Sequence, residues 1–245
     1  MCDSRKGLIT IKNFMTNFEK ILLRNQKSFT SIMPYDLNEE RLWHIDLSSG
    51  NPEIINLNLT DNHLLSQYIF GQISRDNYKA AVGGYGEDRV IYRMNHNFAT
   101  PNEEARSIHL GIDIWDEAGT AIYSPLHGKI HSLQDNDLIG DYGPTIIIEH
   151  ILEEEKFYLL YGHLSKASLA GKQPGQLINK GEQLATLGAY KENVHWPPHL
   201  HFQIIKNLEG KSGDYPGVAK PSEKTRYLQN CPDPNYILGI NILNR

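Results

Sequence analysis

Apolar residues at Ile11, Phe14, Met15, Phe18, Ile21 and Leu22 recur in three- and four-residue steps, which predicts an amphipathic helix from Ile11 to about Arg24 packed on a core. A second helix is expected through His63, Leu64, Leu65, Tyr68 and Ile69, capped by Thr60 or Asp61. Between the two, Ser48–Pro52 carries turn chemistry. From Ile108 onward the period shortens, and β-branched or aromatic runs alternate with Gly, Pro and charged turns. AIYSPLHGKIHSL alternates around Pro125 and Gly128. TIIIEHI and KFYLLYGHL flank the charged turn Glu153 to Lys156, a hairpin whose second strand delivers His163 to its end. GQLINKGEQLATLG, Gly175 to Gly188, has a strand, Lys-Gly turn, strand rhythm. The expected fold class is mainly β: a compact antiparallel β-sheet or sandwich over residues 81–245, with its core at about 107–205. A smaller, partly helical region over residues 1–80 precedes it, with no low-complexity linker or repeat between them.

Composition narrows the function classes more than it changes this picture. A chain of 245 residues with 40% hydrophobic and 22% charged residues describes an ordinary globular protein of one large domain, or of a core domain with an attachment. A net charge of −5 leaves no electrostatic footprint for nucleic acid. No run of eighteen apolar residues exists, so no membrane span is expected. MCDSRKGLITIKNF lacks the apolar stretch of a secretory signal, so the sequence as given slightly favours the cytoplasm, with the cell envelope expected if the true start lies upstream or export uses another route. Cys2 and Cys231 form no close-spaced motif and are expected as free thiols, since they pair only if the termini meet.

The candidate chemistry centres on PPHLHF, Pro197 to Phe202. In an extended strand His199 and His201 point to one face, roughly 7 Å apart. Upstream stand His109 and Asp113 in SIHLGIDI and His163 in LLYGHLS. Zinc takes about four ligands, commonly imidazole nitrogen and carboxylate oxygen, so His109, Asp113 and one histidine of the pair would make three protein ligands. On a straight strand residues four apart lie roughly 13 Å from one another, too far to share an ion. Ile108, Ile112, Ile114 and Gly111 argue against a helix, so a bend or bulge is expected at Gly111. Spacing leaves open which of His199 and His201 ligates.

HLGID, YGHLS and PPHLHF, in that order, resemble the HxxxD, H and HxH signatures of the lysostaphin-type (LytM-like) zinc endopeptidases, which cut peptide cross-links in bacterial cell walls. The resemblance runs from about Ser107 to Ile205 and includes GTAIYSPLHGKI and INKGEQLATLG. It implies a duplicated-hybrid-motif fold, a single zinc ion on His109, Asp113 and His201, and His163 and His199 left for acid/base work. Peptide or peptidoglycan is then the implied substrate. With no HExxH helix to supply a glutamate base, His199 is the candidate base, and His163 hydrogen-bonds the water or the developing oxyanion. Two other functions fit the same residues: a zinc-bearing scaffold without turnover, and a cytosolic zinc amidohydrolase acting on a small substrate.

The remaining motifs read more plainly. Tyr85, Glu87, Asp88 and Arg89 are expected in a solvated hairpin rather than lining a groove. His44, His63 and His96 read as surface or core residues, and His150 as a hydrogen-bonded structural one. Trp196 is expected as a pocket wall and His195 as a substrate contact. KNLEGKSGDYPGV should form a loop beside the site, and CPDPNYIL a tail folded over the core. Part of residues 1–105 is expected to cover the groove.

Overall fold

The structure is a computed structural model that describes residues 15–58, 61–93, 98, 103–138 and 140–244. Cys2, Ile11, Phe14, Thr60 and His96 lie outside the described residues. The first helix spans Asn17–Asn25 and is closed at its start by a capping box between Thr16 and Glu19. It buries Phe18, Ile21 and Leu22, as the helical stripe requires. The second spans Asn62–Arg75, is capped by the Asp61 side chain on the His63 N–H, and buries Leu65 and Ile69. Ser48–Pro52 leads into a short helix, Pro52–Asn56, with Asn51 at its cap.

The chain is mainly β. Eight strands form one mixed sheet, in spatial order Leu42–His44, Ala80–Gly83, Ile112–Trp115, His199–Ile205, Glu155–Gly162, Gly143–Leu152, Gly128–Asn136 and Leu177–Ile178. All neighbours are antiparallel except the first pair, which runs parallel. That parallel pair departs from the wholly antiparallel expectation. Its cause is the connection: the helices between residues 44 and 80 carry the chain back across the sheet, as a parallel crossover requires.

The hairpin joining Gly143–Leu152 to Glu155–Gly162 turns on Glu153 and Glu154 alone, both at positive φ, so Glu155 and Lys156 belong to the strand rather than the turn. The two strands of the Gly175–Gly188 stretch do not pair with each other. Leu177–Ile178 joins the large sheet, whereas Gln183–Thr186 pairs with Ala121–Tyr123 in a separate ribbon.

Both faces of the central strands are buried, and alternation sorts their side chains. Ile112, Ile114, Ile146, Ile148, Phe157, Leu159, Leu200, Phe202 and Ile204 enter one core with Phe18, Leu22, Ile32 and Met33 of the N-terminal region. Fully burying each such side chain contributes about 1.5–3 kcal/mol. Ile147, Tyr158, Leu160 and Ile205 enter a second cluster on the opposite face. The N-terminal helix is further tied to the hairpin tip by the Arg24–Glu153 ion pair and by Phe18 against Phe157, with ring centroids 5.2 Å apart. CPDPNYIL folds over the core, burying Cys231 and Ile237.

Candidate metal centre

With Ile112 and Ile114 committed to the main core, the pleat turns Asp113 to the other face. The same holds for His199, His201 and Gln203, which alternate with Leu200, Phe202 and Ile204. The two strands are neighbours, and their register sets His201 directly opposite Asp113 and His199 opposite Trp115. A slip of one residue would carry every one of these polar groups into the apolar core, so burial on the far face holds the register.

His109 reaches the same point from a different direction. The strand Ile108–His109 pairs with Val218–Ala219 and stops; the chain bends at Leu110–Gly111 and resumes as Ile112–Trp115. This is the bend expected at Gly111. A Cβ there would lie 2.6 Å from His201 Cε1 and 2.8 Å from the Phe202 carbonyl oxygen, so only glycine lets the bend pass the histidine ring.

Three candidate ligand atoms converge. His201 Nδ1 stands 3.0 Å from Asp113 Oδ1 and 3.0 Å from His109 Nε2, and His109 Nε2 stands 3.3 Å from Asp113 Oδ1. All three residues are buried and could hold a metal ion together. The other nitrogen of each imidazole is engaged. His109 Nδ1 meets the Gly84 carbonyl oxygen at 3.1 Å, and His201 Nε2 meets Gln203 Oε1 at 2.9 Å. Such partners fix the tautomer and turn the lone pair toward an ion.

Burial, with the charge of Arg89 close by, lowers the His109 pKa to about 3. Burial alone would raise the Asp113 carboxyl, but His109 and the Arg89 guanidinium hold it well below the usual carboxylate range. A neutral imidazole and an ionised carboxylate are the donor forms that a divalent cation needs, so the residues fit a zinc ion.

His163 and His199 flank this cluster with ring centroids 4.0 Å apart. His163 follows the strand Glu155–Gly162 at φ +63°, a left-handed conformation costly for a non-glycine residue. Its N–H donates to the Tyr142 carbonyl at 2.8 Å and its carbonyl accepts from the Gly188 N–H at 2.9 Å, which holds it there. His163 Nδ1 hydrogen-bonds Asn193 Oδ1, and His199 Nδ1 donates to the Pro197 carbonyl at 2.6 Å. Asn193 is itself oriented, since its Nδ2 donates to the Trp196 and Pro197 carbonyls. Both imidazoles therefore carry the lone pair on Nε2. Burial lowers the His199 pKa to about 4. Burial and then the neighbouring His199 hold His163 well below the ordinary histidine value.

Asp113, His163, His199 and His201 line a cavity of about 760 Å³. Trp196 forms part of its wall, as do Lys211 and Asp214–Gly217 of the KNLEGKSGDYPGV loop, and Leu47, Leu65 and Ile91 contribute from upstream. His195 is exposed, lies outside the cavity lining and faces Tyr190. The solvated-hairpin reading of residues 85–89 fails at Arg89. Arg89 is 1% exposed, because Glu87 and Asp113 supply the counter-charges that allow a guanidinium to be buried. Arg89 and Asn193 had no motif to mark them. Gln203 did carry a signal, since it lies two residues beyond His201 on the same strand face. His150 is structural: buried, with Nδ1 bonded to the His127 carbonyl at 2.8 Å.

The family model described as "Peptidase family M23" matches residues 107–213. No curated protein matches the chain. Among solved structures, a zinc-containing peptidase from Vibrio cholerae is 26% identical, covering 43% of this chain and 31% of that one with a TM-score of 0.34. Csd3 from Helicobacter pylori is 24% identical over 53% of this chain and 34% of that one, with a TM-score of 0.32. The catalytic domain of the antimicrobial peptidase lysostaphin from Staphylococcus simulans is 22% identical over 66% and 97% of the two chains, with a TM-score of 0.38. The matched region thus spans about a third of the Vibrio cholerae and Helicobacter pylori chains.

Proposed function

From the match of residues 107–213 to the model of peptidase family M23, we propose that this chain is a zinc-dependent endopeptidase. The observation that carries the reading is the convergence of His109 Nε2, Asp113 Oδ1 and His201 Nδ1 beside two further buried imidazoles whose Nε2 lone pairs are free. His109, Asp113 and His201 would hold the ion. Zinc bound there would supply a Lewis acid able to polarise a peptide carbonyl and acidify water.

The work left to the chain's own residues is proton transfer and orientation. His199, with Nδ1–H tied to the Pro197 carbonyl, presents Nε2 as a base that takes a proton from the attacking water and passes it to the leaving amine. His163 accepts a hydrogen bond from the same water; its own tie to Asn193 supports that role over donation to an oxyanion, because neutral His163 carries no proton on Nε2. Two imidazoles 4.0 Å apart in a buried site carry one added proton between them, so charging His199 keeps His163 neutral. Leu47, Leu65, Ile91, Tyr92 and Trp196 form an aromatic and apolar wall on one part of the cavity.

The substrate is a peptide, with cell-wall cross-links the class to test first. Metal analysis, then digestion of purified wall and of synthetic peptides with mass analysis of the fragments, checks this. Cleavage should stop on chelation, return with zinc, and be lost in His199→Ala while zinc is retained. Zinc with no cleavage of any peptide would replace the enzyme reading with a scaffold. The upstream residues should not be tested by simple deletion. Ala81–Gly83 pair with Asp113–Trp115, so removing them strips a strand from the site itself.

A further inference from the structure

Resting on that metal site, we propose that Arg89 is a positioning residue that keeps Asp113 to a single ligating oxygen. Arg89 Nη1 donates to Asp113 Oδ2 at 2.5 Å, while Asp113 Oδ1 is the atom facing His109 Nε2 and His201 Nδ1. The two oxygens of one carboxylate are thus divided between a guanidinium and the ligand cluster. A charge-assisted hydrogen bond of this length is strong, and it removes Oδ2 from competition for the ion.

Arg89 is in turn braced on its other side. Its Nε donates to Glu87 Oε2 at 2.9 Å, Nη1 also reaches the Tyr92 hydroxyl at 3.3 Å, and Glu87 Oε1 accepts the Leu47 N–H at 2.9 Å. The same short segment supplies the Gly84 carbonyl to His109 Nδ1 and the Glu87 carbonyl to the His109 N–H. All of it lies upstream of residues 107–213, the part matched by the family model. Two of the three ligands are therefore oriented by a stretch outside the matched segment.

Stability does not explain a guanidinium in this place. A buried ion pair roughly breaks even against apolar side chains of equal volume, and Arg89 sits beside the Tyr92 and Trp115 rings, where such a side chain would pack. Arg89 Nη2 is buried with no partner among the described residues, an uncompensated desolvation that destabilises the fold. The compensation lies in coordination. A catalytic zinc site has three protein ligands and an open position, and a second oxygen from Asp113 would occupy that position.

The visible spectrum of the cobalt-substituted protein reads coordination directly. Arg89→Met should free Oδ2, raise the coordination number and weaken the cobalt bands severalfold, whereas Arg89→Lys, which keeps a charged donor to Oδ2, should retain the wild-type intensity. A fully cobalt-loaded Arg89→Met with the wild-type spectrum overturns the proposal. Because Arg89→Met leaves Glu87 unpaired, the double variant Arg89→Met/Glu87→Gln provides a second form in which both charges are gone. Wild type alone gives an independent reading: with carbon-13 aspartate, zinc should widen the separation of the two carboxylate stretching bands of one residue, and a narrowed separation overturns the proposal. Wild type that takes up neither metal sinks the metal site itself, an outcome distinct from one in which metal binds and Arg89 proves indifferent.

Discussion

Gly111 and His201, ninety positions apart in the chain, are in such close approach that a methyl group on the first would stand 2.6 Å from Cε1 and 2.7 Å from Nε2 of the second. The glycine is what allows one short segment to bring two candidate ligands to one point, His109 before the bend and Asp113 after it.

Gly111→Ala should therefore weaken metal binding while leaving the apolar core intact. The Phe202 carbonyl, 2.8 Å from the added atom, is backbone in a central strand, so the histidine ring has to move instead. An affinity loss of about tenfold or more, roughly 1.4 kcal/mol, is expected in zinc competition with a chromophoric chelator. Wild-type affinity in the alanine variant would refute the steric account.

Asn193→Ala should separate turnover from metal binding. Asn193 is fully buried and its Oδ1 orients His163, but it touches none of the three ligand atoms. Zinc content should stay at the wild-type level while kcat for a cleaved peptide falls about ten- to a hundredfold, within the range a misplaced acid/base group produces. Parallel loss of zinc would mean that His163 belongs to the ligand set.

Gln203→Leu removes the acceptor that receives His201 Nε2–H. The tautomer with Nδ1 facing the cluster is then no longer enforced, and metal affinity should fall about tenfold. Gln203→Glu, which keeps the acceptor, should restore it. Isothermal titration with zinc distinguishes the two variants, and equal affinity in both would leave Gln203 without an orienting role.

His150 provides a pH signature away from the metal. Burial lowers its pKa to about 4, below the ordinary value of 6.5, so the unfolded chain binds the proton more readily than the folded one. This contribution to stability is fully present above the unfolded value and is lost as pH falls toward the folded one. Between pH 7.5 and 5.5 it should amount to about 1 kcal/mol. Urea unfolding at the two pH values should show a smaller difference for His150→Leu than for wild type, and an unchanged difference would remove His150 as a cause.

The positions of the helices were legible because each is written within a few neighbouring residues: the Phe18, Ile21, Leu22 stripe, and Asp61 ahead of Leu65 and Ile69. The bend at Gly111 was legible for a similar reason, since β-branched neighbours exclude a helix. Strand partners were harder. The Gly175–Gly188 stretch has the text of a hairpin, yet its two strands pair elsewhere, because the partner of a strand is chosen by the burial of both its faces. Residues 85–89 read as solvated for the same kind of reason. A run of glutamate, aspartate and arginine looks exposed until a counter-charge arrives from residue 113.

By itself, the sequence determined which side chains could do chemistry and which way they alternate, because residue type and the two-residue pleat are local properties. His199, His201 and Gln203 were bound to share a face wherever that strand lay. Tertiary structure alone decided that Asp113 stands opposite His201, that Arg89 is buried against Asp113, and that Asn193 turns His163. Those relations join residues 24 to 88 positions apart. They depend on strand register and on the cost of leaving a charge or a hydrogen-bonding group unpaired away from water, and neither is set until the distant partner has arrived.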